Sequence, residues 1–140
     1  MEPGGIITER PRRVLVTGAA GTVGGLVCRA LAARGHQVRG FDRRGAGGNY
    51  EFIQGELADR EAVDGACRGM ETVVHLGARP VDGPFLETLL PDNIVATWQV
   101  FESAVRHGVG RVVLASTMQV IEGLPRTPGR VITAADGTAS

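Results

Sequence analysis

Three glycines, Gly18, Gly21 and Gly24, close the apolar run Val14-Leu-Val-Thr-Gly-Ala-Ala-Gly-Thr-Val-Gly24. Such a bend between a strand and a helix offers bare main-chain N–H groups to a diphosphate. The first glycine permits the tight turn, the second lets phosphate oxygens reach backbone, and the third lets helix pack closely on strand. Asp42 lies 18 residues beyond Gly24, near the spacing of about 20 at which an acid meets an adenosine ribose. The chemistry these residues suit is the holding of a dinucleotide, with Thr17, Gly18, Gly21, Thr22, Val23 and Gly24 around the diphosphate and Asp42 on the sugar. A carboxylate at 42 binds two ribose hydroxyls and repels a 2′-phosphate, which favours NAD over NADP. Arg43 and Arg44 beside it are the residues that would instead pair with that phosphate.

Other reactive side chains are sparse. His75 sits inside the apolar run Thr72–Leu76, where a satisfied buried histidine is expected before a base or a ligand. His36 and His107 flank glycines that end helices, and should meet helix C-termini or water. Cys28 and Cys67 are isolated, without CxxC or metal spacing, and are expected to be reduced core thiols. No metal site is expected. All 15 basic residues are Arg, so the chain has no Lys, and Tyr50 is its one tyrosine.

The elements that must position these groups follow from periodicity. After the glycines, Val23, Val27, Ala30 and Leu31 share a helical face, and Gly35 ends the helix. Gln37–Phe41 reads as a second strand, Arg43–Asn49 as a loop and Tyr50–Gln54 as a third strand. Asp59 caps a helix whose face is Ala62, Val63, Ala66 and Cys67, ended by Gly69. Thr72–Leu76 is apolar on consecutive residues, as parallel strands covered on both faces are. Pro80, Gly83, Pro84 and Pro91 punctuate the next stretch around a short helix at Phe85–Leu90. A stronger helix follows, with Ile94, Trp98, Phe101 and Val105 at four, three and four residues; Trp98 and Phe101 are expected in the core. Gly108 ends it, and Arg111–Ala115 is a fifth strand.

Strands alternating with helices long enough for crossovers predict an α/β fold: a Rossmann-like doubly wound parallel sheet in the order 3-2-1-4-5. Its ligand should lie at the carboxyl ends of the strands, where the order reverses. Residues 1–11 read as a disordered leader, 12–120 as the dinucleotide-binding domain and 121–140 as an irregular tail. With 15 acidic against 15 basic residues there is no net field to draw nucleic acid or an anionic membrane. No apolar run approaches the roughly 18 residues of a spanning helix, and Glu2, Pro3 and Glu9 do not make a signal peptide, so the expected location is the cytoplasm.

Together these residues resemble the extended short-chain dehydrogenase/reductase superfamily, in its NAD-dependent epimerase/dehydratase group. Thr17–Gly24 matches the TGxxGxxG signature. Gly55-Glu-Leu57 is similar to the Gly-Asp-Leu after the family's third strand, which implies adenine contacts for Glu56 and Leu57, with Glu in place of Asp. His75-Leu-Gly-Ala78 is similar to His-Leu-Ala-Ala, whose backbone passes the cofactor ribose, which implicates Leu76, Gly77 and Ala78. Together with Pro84-Phe85, Asn93-Ile94 and Ala115-Ser-Thr117, the His75 motif resembles the uronate dehydrogenase branch, which oxidises sugar acids with NAD, and Asn93 is expected among the cofactor-binding residues. That branch has Asn-His after its Ser pair, where this chain has Met118-Gln119.

The resemblance implies a Ser or Thr that orients the substrate hydroxyl, a Tyr that takes its proton, and a Lys that lowers the Tyr pKa. Such tuning is needed because an unperturbed Tyr titrates near pH 10. Thr117, with Ser116 beside it, matches the first; the alternative for the pair is a turn or cap after a strand. Tyr50 lies on the third strand, away from any Tyr-x-x-x-Lys, and no Lys exists. The polypeptide therefore resembles the N-terminal cofactor half of an enzyme, and little or no turnover is expected from it alone. A small sugar-type substrate and a homodimer through the helices after strands four and five are what the family implies for a complete enzyme. The competing expectations are a non-catalytic NAD(H)-binding regulatory module and a truncated product without function.

Overall fold

A computed structural model describes residues 10–45, 47–117, 124, 128–133, 135 and 137. Residues 1–9 of the expected leader over 1–11 and much of the expected tail over 121–140 lie outside them. The element order is β1 (Arg13–Thr17), α1 (Thr22–Ala33), β2 (Gln37–Asp42), β3 (Glu51–Gln54), α2 (Arg60–Cys67), β4 (Thr72–His75), a π-helical segment (Phe85–Val95), α3 (Ala96–Arg106) and β5 (Arg111–Leu114).

All four strand pairings are parallel, in the order β3-β2-β1-β4-β5. Thr17 stands opposite Phe41 and His75, and His75 opposite Leu114, so the strands end together along one edge. The order reverses between β1 and β4, which opens a crevice there. Alternation along β1 sends its side chains to both faces. Leu15 joins Phe41, Val63, Cys67, Val73, Val100 and Ala104 under α2 and α3. Val14 and Val16 join Ala19, Cys28 and Val38 under α1. Burying Leu15 or Phe41, each fully enclosed, contributes about 1.5–3 kcal/mol.

Helix ends follow local chemistry. Oδ1 of Asp59 accepts the N–H groups of Glu61 and Ala62 at 3.0 and 3.1 Å, an N-cap for α2. Gly35, Gly69 and Gly108 follow the three α-helices at φ of 84°, 76° and 66°, the left-handed conformation that glycine adopts without a Cβ penalty.

Three local expectations are corrected. Within the irregular stretch after β4, Phe85–Val95 is a π-helical segment that runs straight into α3 rather than a short separate helix at Phe85–Leu90. Pro91 lies inside it; proline has no N–H and its ring crowds the carbonyl four residues back, which the wider π turn relieves. The buried face of α3 is Ala96, Val100, Ser103 and Ala104, whereas Trp98 is 67% exposed and Ile94, Phe101 and Val105 also face outward. Small side chains let α3 sit close to α2 and the sheet, and the large ones are turned away. In α1 the expected Val27 and Leu31 do pack on the core, but the buried residues are Gly24, Gly25 and Cys28, with Val23 and Ala30 exposed, because two glycines bring that helix down onto β1. Among the described residues no helix is long and apolar enough to cross a membrane.

Candidate functional site

A cleft of about 620 Å3 opens at the carboxyl edge of the sheet. Its floor is the glycine-rich bend. Gly18 has a φ of 71°, and a Cβ there would lie 2.8 Å from the backbone nitrogen of Gly77. A Cβ on Gly24 would overlap the carbonyl oxygen of Gly18. Each glycine is thus required by backbone that passes against it.

The bend feeds α1 with Gly21 as N-cap and no side chain capping it. Gly25 donates the first helical bond, to the carbonyl of Gly21 at 2.9 Å, which leaves the N–H groups of Thr22, Val23 and Gly24 without an intrahelical acceptor. All three residues line the cleft. Uncapped N–H groups at the positive end of a helix dipole fit an anion such as a diphosphate.

Asp42 ends β2 beside the bend. Its Oδ2 accepts the N–H of Ala20 at 3.1 Å, and its Oδ1 accepts the N–H of Arg44 at 2.9 Å. Each carboxylate oxygen keeps acceptor capacity for a sugar hydroxyl. Arg43 and Arg44 also line this end, with the Nε of Arg44 3.8 Å from Oδ1. Gly55 donates to the carbonyl of Asp42 at 3.0 Å, which brings Glu56 and Leu57 into the lining. Leu57 packs over Gly77, in space that a Cβ would fill.

Across the crevice, Leu76, Gly77 and Ala78 form the wall. Thr17 does not line the cleft. It lies beneath, where its Oγ1 accepts the N–H groups of Leu76 and Gly77 at 3.2 and 3.1 Å and stands 2.6 Å from Nδ1 of His75. His75 is the satisfied buried histidine expected, its pKa pushed down to about 4 by desolvation.

Asn93 is likewise outside the lining. Its Oδ1 accepts the N–H of Arg79 at 2.7 Å and its Nδ2 donates to the carbonyl of the same residue at 3.2 Å. Arg79, Pro80 and Asp92 close the far end of the cleft, with Nε of Arg79 on Oδ2 of Asp92 at 2.7 Å. These three were not indicated by motif; their one signal is that Arg79 directly follows His75-Leu-Gly-Ala78. Ser116 and Thr117 follow β5, exposed, on the same edge of the sheet but outside the lining. Tyr50 lies on the α1 side, hydrogen-bonded to Cys28. Cys28 and Cys67 are buried free thiols. Among the described residues no cluster of His, Cys, Asp or Glu is placed to hold a metal ion.

Residues 14–137 match the NAD dependent epimerase/dehydratase family. A uronate dehydrogenase from Pseudomonas syringae pv. tomato is 38% identical over 119 residues, 81% of this chain and 43% of that protein. A 2-alkyl-3-oxoalkanoate reductase from Stenotrophomonas maltophilia is 36% identical over 116 residues, 77% of this chain and 34% of that protein. Among solved structures, a mutant uronate dehydrogenase from Agrobacterium tumefaciens complexed with NAD superposes with a TM-score of 0.71 at 39% identity, over 79% of this chain and 42% of that one. The chain thus spans less than half the length of these relatives. Its five-stranded Rossmann-like sheet is the fold of these dehydrogenases.

Proposed function

The chain belongs to the NAD dependent epimerase/dehydratase family, and on that premise we propose that it binds NAD(H) in the cleft between β1, β2 and β4, as the dinucleotide-binding portion of an oxidoreductase acting on a sugar or sugar acid. One observation carries this reading: the uncapped N-terminus of α1 and the Asp42 carboxylate open onto the same cleft. The N–H groups of Thr22, Val23 and Gly24 hold the diphosphate over Gly18 and Gly21. Asp42 takes the adenosine ribose hydroxyls, which favours NAD over NADP. Arg43 borders that ribose, Glu56 and Leu57 border adenine, and the backbone of Leu76, Gly77 and Ala78 passes the second ribose. Thr17 and Asn93 serve from behind, by holding the Leu76–Arg79 backbone. The NAD complex of the related uronate dehydrogenase supports the choice of cofactor.

When bound, NAD supplies a hydride acceptor; this chain's part is to bind and orient it. Ser116 and Thr117, on the same sheet edge, are assigned to the substrate hydroxyl. The proton acceptor is not furnished by Tyr50, which packs with Cys28 against the cluster under α1 and outside the cleft lining, and the sequence holds no Lys to tune a phenol. The placement of Tyr50 leads to a second reading, an NAD(H)-binding module without turnover. The relatives' differing substrates, a uronate and an oxoalkanoate, match this part of the chain about equally, so a sugar acid is supported by the motif at Ala115-Ser-Thr117 rather than by the cleft. Trp98, Phe101 and Val105, outward on α3, are the surface for a homodimer. The buried free thiols suit a reducing cytoplasm.

Titration of the purified chain with NADH, followed by nucleotide fluorescence, tests the reading: saturable enhancement at sub-millimolar concentration is expected. Absence of saturation overturns it. NADH formation from NAD and a uronate by this chain would exclude the silent module.

A further inference from the structure

Thr17 on β1 and His75 on β4, both buried, and Thr97 on α3, half-buried, form one line of polar side chains. Oγ1 of Thr17 lies 2.6 Å from Nδ1 of His75, and Nε2 of His75 lies 3.2 Å from Oγ1 of Thr97. The direction of each bond follows from counting donors. Thr17 Oγ1 already receives the N–H groups of Leu76 and Gly77, so its lone pairs are engaged and its one proton is left for His75. Nδ1 is therefore the acceptor and Nε2 carries the ring proton, which is donated to Thr97.

The opposite tautomer would aim an N–H at an oxygen that two other N–H groups already occupy; Leu76 also reaches the Thr17 carbonyl at 3.3 Å, so the hold on Gly77 is the one at stake. Those two residues are the cleft wall, and they pass so close to the bend that a Cβ on Gly18 would sit 2.8 Å from Gly77 N and 2.9 Å from the Leu76 carbonyl carbon. We propose that Thr97 is a positioning residue for dinucleotide binding: by accepting the Nε2 proton of His75 it fixes the tautomer with which Thr17 holds Leu76 and Gly77 against Gly18. Thr97 touches neither the cleft nor the bend, and it couples α3 to the cleft through two side chains. The binding half of this proposal rests on the NAD(H) reading above; the tautomer half does not.

The test uses the full chain as wild type, Thr97→Val, Thr97→Ala and Thr97→Ser, with two readouts: NADH affinity by fluorescence and the His75 ring nitrogen shifts by NMR without nucleotide. The wild type should show the Nε2-protonated pattern. Thr97→Val and Thr97→Ala should each weaken NADH about five- to tenfold, the size expected from one hydrogen bond, and should disturb that ring pattern. Thr97→Ser, which keeps the hydroxyl, should stay within about twofold of wild type. An Nδ1-protonated ring in the wild type overturns the proposal, as do Val and Ala variants that bind like wild type with unchanged ring shifts. If the wild type binds no NADH, the functional reading falls, while the ring nitrogens still decide the tautomer.

Discussion

Oδ2 of Asp42 accepts the backbone N–H of Ala20 at 3.1 Å, so the acid at the end of β2 is fastened to the middle of the glycine-rich bend. The bond fixes the distance between the group assigned to the ribose and the amides assigned to the diphosphate. The Asp42 side chain is 10% exposed, sheltered enough for its remaining hydrogen bonds to count.

Removing that carboxylate should therefore change cofactor preference as well as affinity. Asp42→Ala is expected to weaken NADH about ten- to hundredfold, the equivalent of one or two charge-assisted hydrogen bonds. NADPH should lose less, because Arg43 and Arg44 remain to face a 2′-phosphate. Parallel titrations check this; equal losses for the two nucleotides would remove Asp42 from the ribose.

Glycine positions separate packing from propensity. Gly24→Ala places a methyl group into the carbonyl of Gly18, and the bend must shift, at about 1–3 kcal/mol and with loss of NADH binding. Gly65→Ala, within α2, meets nothing within 4 Å and should stabilise by roughly 0.5–1 kcal/mol through helix propensity. Urea midpoints report both. A Gly24→Ala chain as stable as wild type would contradict the close approach of bend and helix.

What the sequence makes legible is what local backbone chemistry dictates. The glycine spacing, the Asp59 cap and the left-handed stops at Gly35, Gly69 and Gly108 each depend on a few neighbouring residues, and from them the strand order follows by crossover geometry. The face of α3 is different. Trp98 and Phe101 recur at helical spacing, but so do Ala96, Val100 and Ala104, and periodicity cannot say which stripe meets the sheet; close packing selects the smaller one. The far end of the cleft is also illegible, since Arg79 meets Asp92 only because a π-helical segment around Pro91 brings them together. Thr17 shows a further limit: its motif position points to the diphosphate, while its hydroxyl serves the wall behind.

Burial of His75 makes stability depend on pH. Its pKa is about 4 in the folded chain against 6.5 for a free imidazole, so the unfolded state binds the proton more readily between those values. The stabilisation is fully present above pH 6.5 and is lost as pH falls toward 4, by about 3 kcal/mol in all. Asp64, whose carboxyl is held low by Arg106 and then His107, and Glu71, held low by the Arg13 N–H and then Arg10, add to the loss at the acid end of this window and below it. Urea unfolding of wild type and His75→Gln should show a slope from pH 6.5 to 4.5 in the first that is flattened in the second. Parallel slopes would exclude His75 as the source.

Both thiols should be inert in the folded chain. Burial pushes Cys67 up to about 11 and raises Cys28 as well, so neither supplies thiolate at neutral pH, and both are enclosed. A disulfide reagent should label neither in buffer and both in urea. Rapid labelling of either thiol in buffer would show that the packing of α1 or α2 is looser than described.

Asn93 offers the sharpest separation between holding the cleft and acting on a substrate. Its amide grips the N–H of Arg79 at 2.7 Å and the carbonyl of the same residue at 3.2 Å, which fixes where the wall leaves β4. Asn93→Ala removes both bonds from a half-buried site, a loss of roughly 1–2 kcal/mol, part of which should appear as NADH affinity several-fold weaker, since Leu76–Ala78 lead into the released backbone. Ser116→Ala and Thr117→Val alter residues beyond the lining and should leave NADH affinity within about twofold. Isothermal titration of the three variants decides the assignment. Weaker NADH binding by the Ser116 or Thr117 variant, with Asn93→Ala like wild type, would reverse it and place the β5 edge, rather than the Arg79 loop, in charge of the nucleotide.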